Sequence, residues 1–220
     1  MNAKAVSVRA DGDQFVKVTH AVGGIPSLLN AGTTDELFWR DPFTTQFQNQ
    51  VRNMSERTSS TRLLAEGALE MLIQNDKLAR RNRATLSAMR LAAQRYDHLG
   101  RRMEVVQRFS NQYWDAYLNL GDRTKVRKLR YYTGAIYNNL REMAEELSIL
   151  KEAYRQQWLA ENRQYWLDGV SARYDQMVSV WLTKSRGMDE ALRKYEATST
   201  LPNPEEFGLG TRPPAPPQNR

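Results

Sequence analysis

The 220-residue chain has no cysteine. That excludes disulfides, thiolate metal sites and cysteine nucleophiles, and it leaves the redox compartment unread. Histidine is almost as scarce, with only His20 and His98. Neither has a glutamate three residues before it, so the Glu-x-x-His pairs of di-iron bundles are missing and no metal or other cofactor is implied. No stretch approaches the roughly 18 apolar residues of a membrane span, and the opening "MNAKAVSVRADGDQF" has no apolar run of signal-peptide length. A G-x-S-x-G elbow, a P-loop and a G-x-G-x-x-G loop are also lacking. Four acidic pairs occur, at 35–36, 145–146, 189–190 and 205–206. Three fit helix starts or solvated helix faces and one lies near the C-terminal end, so none reads as paired catalytic carboxylates across a cleft.

Glycine and proline are sparse from about residue 45 to about residue 200, while apolar residues make up 40% and charged residues 26% of the chain. An all-α fold follows, an antiparallel bundle of long helices. Residues 1–34 form an irregular or weakly β segment, with a possible hairpin around Asp11-Gly12-Asp13 and a loop in "VGGIPSLLNAGTT". Residues 35–196 are the helical domain. Residues 197–220, with six prolines and little to bury, read as a disordered tail.

Within the helical domain a short helix opens at "TTDELFW", and Asp41-Pro42 reads as cap and first residue of the next. "STRLLAEGALEMLIQ" sets Leu64, Ala68, Met71 and Leu72 on one face. Met89, Ala92, Tyr96, Leu99, Met103, Val106, Tyr113, Tyr117 and Leu120 recur at helical spacing, interrupted only at Ser110. After Gly121-Asp122 a second stripe runs through Val126, Leu129, Ile136, Leu140, Met143, Leu147, Leu150, Tyr154 and Trp158, predicting a long helix antiparallel to the first. A last helix is predicted over residues 164–184, and a short one after Gly187.

The net charge is +7, and it is concentrated. Residues 77–102 hold eight Lys or Arg against Asp76 and Asp97, and "DRTKVRKLR" adds five more. Such runs suit an anionic partner or a solvated basic face. No zinc-finger, homeodomain or RNP pattern accompanies them, and Tyr96, Tyr113 and Tyr117 lie on the apolar stripe, so sequence-specific nucleic-acid reading is not indicated.

The stretch "AYRQQWLAENRQYWLDGVSARYD" poses a packing problem. At 100° per residue Leu147, Leu150, Trp158 and Tyr165 share a stripe with Tyr154, and Glu161 falls on it too. Leu159, Trp166, Val170 and Met177 form a second stripe. Either the helix packs on two faces or it breaks near residues 161–163, and in both cases a buried Glu161 needs an arginine or tyrosine partner.

"WLAENRQYWLD" at 158–168, with "ELFWRDPF" at 36–43, "ARRNRATLSAMRLAAQRYDHLGRR" at 79–102 and "RYD" at 173–175, resembles the C-terminal helical region of glycoside hydrolase family 20 proteins. These are β-N-acetylhexosaminidase-like enzymes in which helices follow a catalytic barrel. The resemblance implies a non-catalytic helical module that packs against a barrel absent from this chain, in cis or in trans. Family members use an Asp-Glu pair at the end of a barrel strand, and no Asp-Glu pair here follows an apolar strand, so the chain alone is not expected to turn over substrate. Trp158, Glu161, Asn162, Arg163, Trp166 and Asp168 carry the signature and are its candidate glycan-edge residues. A parent protein of this kind would be periplasmic or secreted. The competing expectation is a stand-alone basic helical protein that binds nucleic acid or an acidic protein through residues 77–102 and 123–130.

Overall fold

The computed structural model describes residues 34–52, 55–134, 138–161, 164–165, 167–205 and 207–212. Among them are seven helices and no strand: α1 (Thr34–Trp39), α2 (Thr45–Arg52), α3 (Ser55–Asp76), α4 (Arg83–Leu118), α5 (Arg123–Thr133), α6 (Asn139–Glu161) and α7 (Leu167–Thr198). The fold is all-α. The chain divides into two compact units, 1–40 and 41–220. In the first, the described residues are α1 and Arg40; the expected β-like segment at 1–33 lies outside the described residues. The rest concerns the second unit.

Its axis is α4, whose 36 residues meet α2, α3, α5 and α6. Side-chain pairs set the register. Asp97 and Glu104 of α4 hold Arg62 of α3, while His98 and Arg101 reach Glu146 and Glu142 of α6. Lys151 of α6 binds Asp175 of α7. In each pair of helices the residue numbers run in opposite directions, so the long helices are antiparallel neighbours. The stripe read from sequence faces inward along most of α4: Leu99, Met103, Val106 and Tyr113 are buried, as are Leu140, Met143, Leu147 and Leu150 of α6. It fails at the start of α4, where Met89 and Ala92 face solvent and Leu91 and Ala93 are buried instead.

Five other expectations are corrected. Asp41-Pro42 does not start α2. Asp41 Oδ1 accepts a hydrogen bond from the Phe43 amide, forming a turn, and the Thr44 hydroxyl accepts from the Phe47 amide, so Thr44 is the working cap. The stripe from Val126 to Trp158 belongs to two helices, not one. At Gly134 the chain passes so close to the Arg130 carbonyl oxygen that a Cβ would collide with it, and its extended ψ stops α5. Asn138 then restarts the helix by accepting from the Arg141 amide.

The face of α3 is also different. Thr58, Thr61 and Ala65 turn inward, whereas Leu64 and Met71 point out. Gly100 of α4 explains this, since its missing Cβ would sit against Arg62 and the Thr58 carbonyl. The two helices approach too closely there for large side chains, and small ones fill the seam.

The last helix runs unbroken through Gly187 to Thr198. A Cβ at Gly187 would touch the Phe207 ring at 3.6 Å, ordinary van der Waals contact. Gly187→Ala is therefore expected to stabilise the protein by about 0.5–1 kcal/mol, because it removes backbone freedom from the unfolded chain without steric cost. Chemical denaturation measures this, and a loss of stability would contradict the geometry.

Finally, residues 199–212 are not a disordered tail; residues 213–220 lie outside the described residues. The segment folds back as a strap over α2, α4 and α7. Leu201 and Leu209 are buried. Phe207 stacks on Tyr113 with centroids 5.0 Å apart, and the Tyr113 hydroxyl donates to the Pro202 carbonyl at 2.9 Å. Ser110, the lone interruption of the α4 stripe, donates to the Leu209 carbonyl at 3.0 Å. Lys184 extends between the rings of Phe43 and Phe207, 4.9 and 4.6 Å from their centroids, and donates to the Phe207 carbonyl. Burial lowers its pKa, an effect Asp41 partly opposes. Gly208, at φ +79, passes under the Phe43 carbonyl, where a Cβ would lie 2.7 Å from the oxygen.

Candidate functional site

Of the signature residues, Trp158 lies near the end of α6 and Asp168 in the first turn of α7. Helix α6 ends at Glu161 and α7 begins at Leu167, so the chain breaks there, the second of the two arrangements the stripes allowed. The Leu167 amide closes the turn on the Gln164 carbonyl at 3.1 Å. Trp158 is half-buried, its ring stacked on Tyr154 at 6.0 Å and 22°. Tyr154 in turn lies 6.1 Å from Tyr174, which is fully buried. Tyr165, expected on the Tyr154 seam, is 74% exposed because the helix has already ended. Asp168 is exposed in the first turn of α7, where a carboxylate complements the positive helix end. Asn162, Arg163, Trp166 and the side chain of Glu161 lie outside the described residues. The corner thus joins two packing surfaces through an aromatic stack.

Of the basic run at 77–102, several members serve the interior. Arg102 is fully buried with its guanidinium over the Phe47 ring at 5.1 Å. Burial pushes its pKa down to about 9 against the pull of Asp41. Arg101 binds Glu142 at 2.6 Å and also Glu146, and Arg90 binds Asp76. What remains on the surface is the turn between α3 and α4, with Lys77, Arg80 and Arg81 exposed beside Leu78.

His98 is an interhelix residue, 3% exposed, with Nδ1 3.1 Å from Glu146 Oε2. Burial, reinforced by Arg102 and Arg101, lowers its pKa to about 3, so the ring is neutral and donates from Nδ1 to the carboxylate. Among the described residues no group of three or more His, Asp or Glu could hold a metal ion. Two members of the acidic pairs serve structure: Glu146 holds His98 and Arg101, and Asp189 binds Arg141.

The surface that sequence reading missed is the outer side of α3. Leu63, Leu64 and Met71 are 71%, 62% and 60% exposed and fall within about 100° of one another around the helix. Leu78 at the turn and Met89 on α4 are also exposed. The signal was present, since "RLLAEGALEM" has an apolar stripe; what could not be read is that Gly100 hands the seam to the threonines.

The architecture is that of an antiparallel helical bundle with an unpartnered apolar helix face. No protein-family model matches the chain, and neither the curated proteins nor the solved structures contain a match to it. No helix among the described residues is long and apolar enough to cross a membrane.

Proposed function

We propose that the chain is a non-catalytic helical module that packs the outer face of α3 against a second folded body, the catalytic barrel of a β-N-acetylhexosaminidase-like protein, in cis or in trans. The observation that carries this reading is the apolar face of α3. Three large apolar side chains more than half exposed on one helix exceed what scattered surface residues explain, and such continuous patches mark docking sites. The sequence resemblance supplies the identity of the body. Two further features agree with a module that works by packing: Glu142, Glu146 and Asp189 are paired with arginines, and the signature residue Trp158 stacks on Tyr154 within the fold. At the α6–α7 corner exposed Tyr165 is the candidate contact to glycan at the edge of a barrel site.

The test mixes the purified chain with a hexosaminidase-like barrel stripped of its own C-terminal helices and follows complex formation by light scattering. A complex that Leu64→Glu with Met71→Glu abolishes is expected, while the variant keeps its unfolding midpoint because neither side chain is in the core. No complex, or one indifferent to the variant, overturns the proposal. So does turnover of a chromogenic N-acetylglucosaminide by the chain alone that disappears with one carboxylate.

A further inference from the structure

The outer face of α3 carries a repeat as well as apolar side chains. Ser60, Leu64, Gly67, Met71, Gln74 and Leu78 follow one another at alternating steps of four and three residues, the spacing of a coiled-coil seam. At 100° per residue they fall within about 80° of one another, and the buried Thr58 and Ala65 lie on the opposite side of the helix. All six are exposed. The helical path holds to the end of the repeat, because the amides of Leu78 and Ala79 both donate to the Asn75 carbonyl, at 3.0 and 2.9 Å.

The seam alternates in size. Leu64, Met71 and Leu78 are large, whereas Ser60 and Gly67 are small, and a Cβ built on Gly67 would meet no atom within 4 Å. Two such seams side by side in parallel would set large against large and Gly67 against Gly67, which leaves a gap. Antiparallel, each large side chain of one faces a small or polar residue of the other. Charge then selects the register. Glu70 and Lys77 lie seven residues apart on one edge of the seam, both exposed. Glu70 accepts from Gln74 of its own helix at 3.4 Å, and neither side chain forms an ion pair among the described residues. In an antiparallel pair, edges of the same kind meet, so the register that seats Leu78 over Gly67 and Met71 over Gln74 also sets Glu70 of each helix against Lys77 of the other. A slide of one heptad would bring Glu70 against Glu70.

We infer that this seam pairs with a second copy of the chain, the two α3 helices running antiparallel about a two-fold axis near Leu72 and Ile73. An isologous interface has to be complementary to itself, and the outer face of α3 is so in both size and charge in a single register. The inference rests on the reading of the α3 face as a docking surface and adds its regulation: the dimer covers the face that a barrel would take, so the two occupants compete for it. A contact of about three helical turns is smaller than the roughly 800 Å² per partner of a standard interface. The pair is therefore weak, dissociating in the micromolar range, and yields to a tighter partner.

Sedimentation equilibrium of the chain alone, from about 5 to about 500 μM at roughly 50 mM salt, is expected to show a monomer–dimer equilibrium. Glu70→Lys and Lys77→Glu each turn two attractions into two repulsions and should each raise the dissociation constant at least about fivefold. Mixed in equal amounts, the two variants should form a heterodimer as strong as the parent pair, because every lysine then meets a glutamate. Both positions are exposed, so each variant should keep the parent's unfolding midpoint. A chain that stays monomeric throughout overturns the inference. So does a dimer that the single exchanges leave unchanged, as a parallel pair would be, or one that the mixture fails to restore. The barrel reading fails separately: a chain that dimerises as described yet forms no complex with the barrel removes that reading and leaves this one standing, and a monomeric chain that binds the barrel does the reverse.

Discussion

Phe109→Ala is expected to destabilise the protein by about 4 kcal/mol and to lower its unfolding midpoint by roughly 8–16 °C. Phe109 is fully buried and meets three rings edge-on, Phe43 at 6.2 Å, Tyr113 at 6.1 Å and Phe207 at 6.4 Å. Truncation removes the transfer energy of the ring and leaves a cavity that none of the three can fill, since each is fixed by something else. Phe43 packs on Trp181, Tyr113 is tied through its hydroxyl to Pro202, and Phe207 stacks on Tyr113. Phe109→Leu keeps most of the volume and should lose less than half as much. Calorimetry of the two variants tests this, and a shift of under about 3 °C for the alanine variant would show that the ring cluster is not a closed core.

Acidification should cost the protein stability through His98 in a window that opens above the carboxylate range. The ring titrates near 6.5 when unfolded and near 3 when folded. Between those values the unfolded chain binds a proton that the folded chain does not, so stability is full above about pH 6.5 and falls as the pH drops towards 3. At pH 4.5 the loss from this group is on the order of 2–3 kcal/mol. Asp97 opposes the shift, and burial prevails because Arg102 and Arg101 place positive charge nearby. His98→Gln keeps a donor for Glu146 and cannot take up a proton, so urea unfolding at pH 6.5 and 4.5 should show a shallower loss for the variant. Identical losses in both proteins would mean the ring is already protonated in the fold.

The elements legible in sequence are those whose burial follows from one helix alone. Leu99, Met103 and Val106, or Leu140, Met143 and Leu147, announce their face by spacing, and they are buried. What escaped depends on a second segment. Ser110 breaks the α4 stripe because a carbonyl 99 residues later lies on it. Leu209 and Phe207 have no period of their own, and their burial comes from a slot built by α2, α4 and α7. Gly187 and Gly134 look alike as helix breakers, yet one sits inside a continuous helix and the other stops one, a difference set by the local approach of Phe207 and the Arg130 carbonyl. For the same reason the signature residues could be placed at a corner from sequence, whereas the free cations could not be told from the paired ones. Lys125 is bound to Asp115 at 2.8 Å and Lys128 is exposed, and the two differ only in what faces them.

The strap also sets an order of events during synthesis. Gln48 donates to the Gly208 carbonyl at 2.6 Å, a contact between positions 160 residues apart, and Arg52 reaches the Thr211 carbonyl in the same way. The hairpins of α3 with α4 and of α6 with α7 close over short separations and can form as the chain leaves the ribosome. The seat of Phe207 and Leu209 cannot close until residues 201–212 have emerged. Until then Phe109, Tyr113 and the Ser110 hydroxyl stay open to water, so the nascent bundle carries an uncovered aromatic slot that a later-made segment of the chain seals.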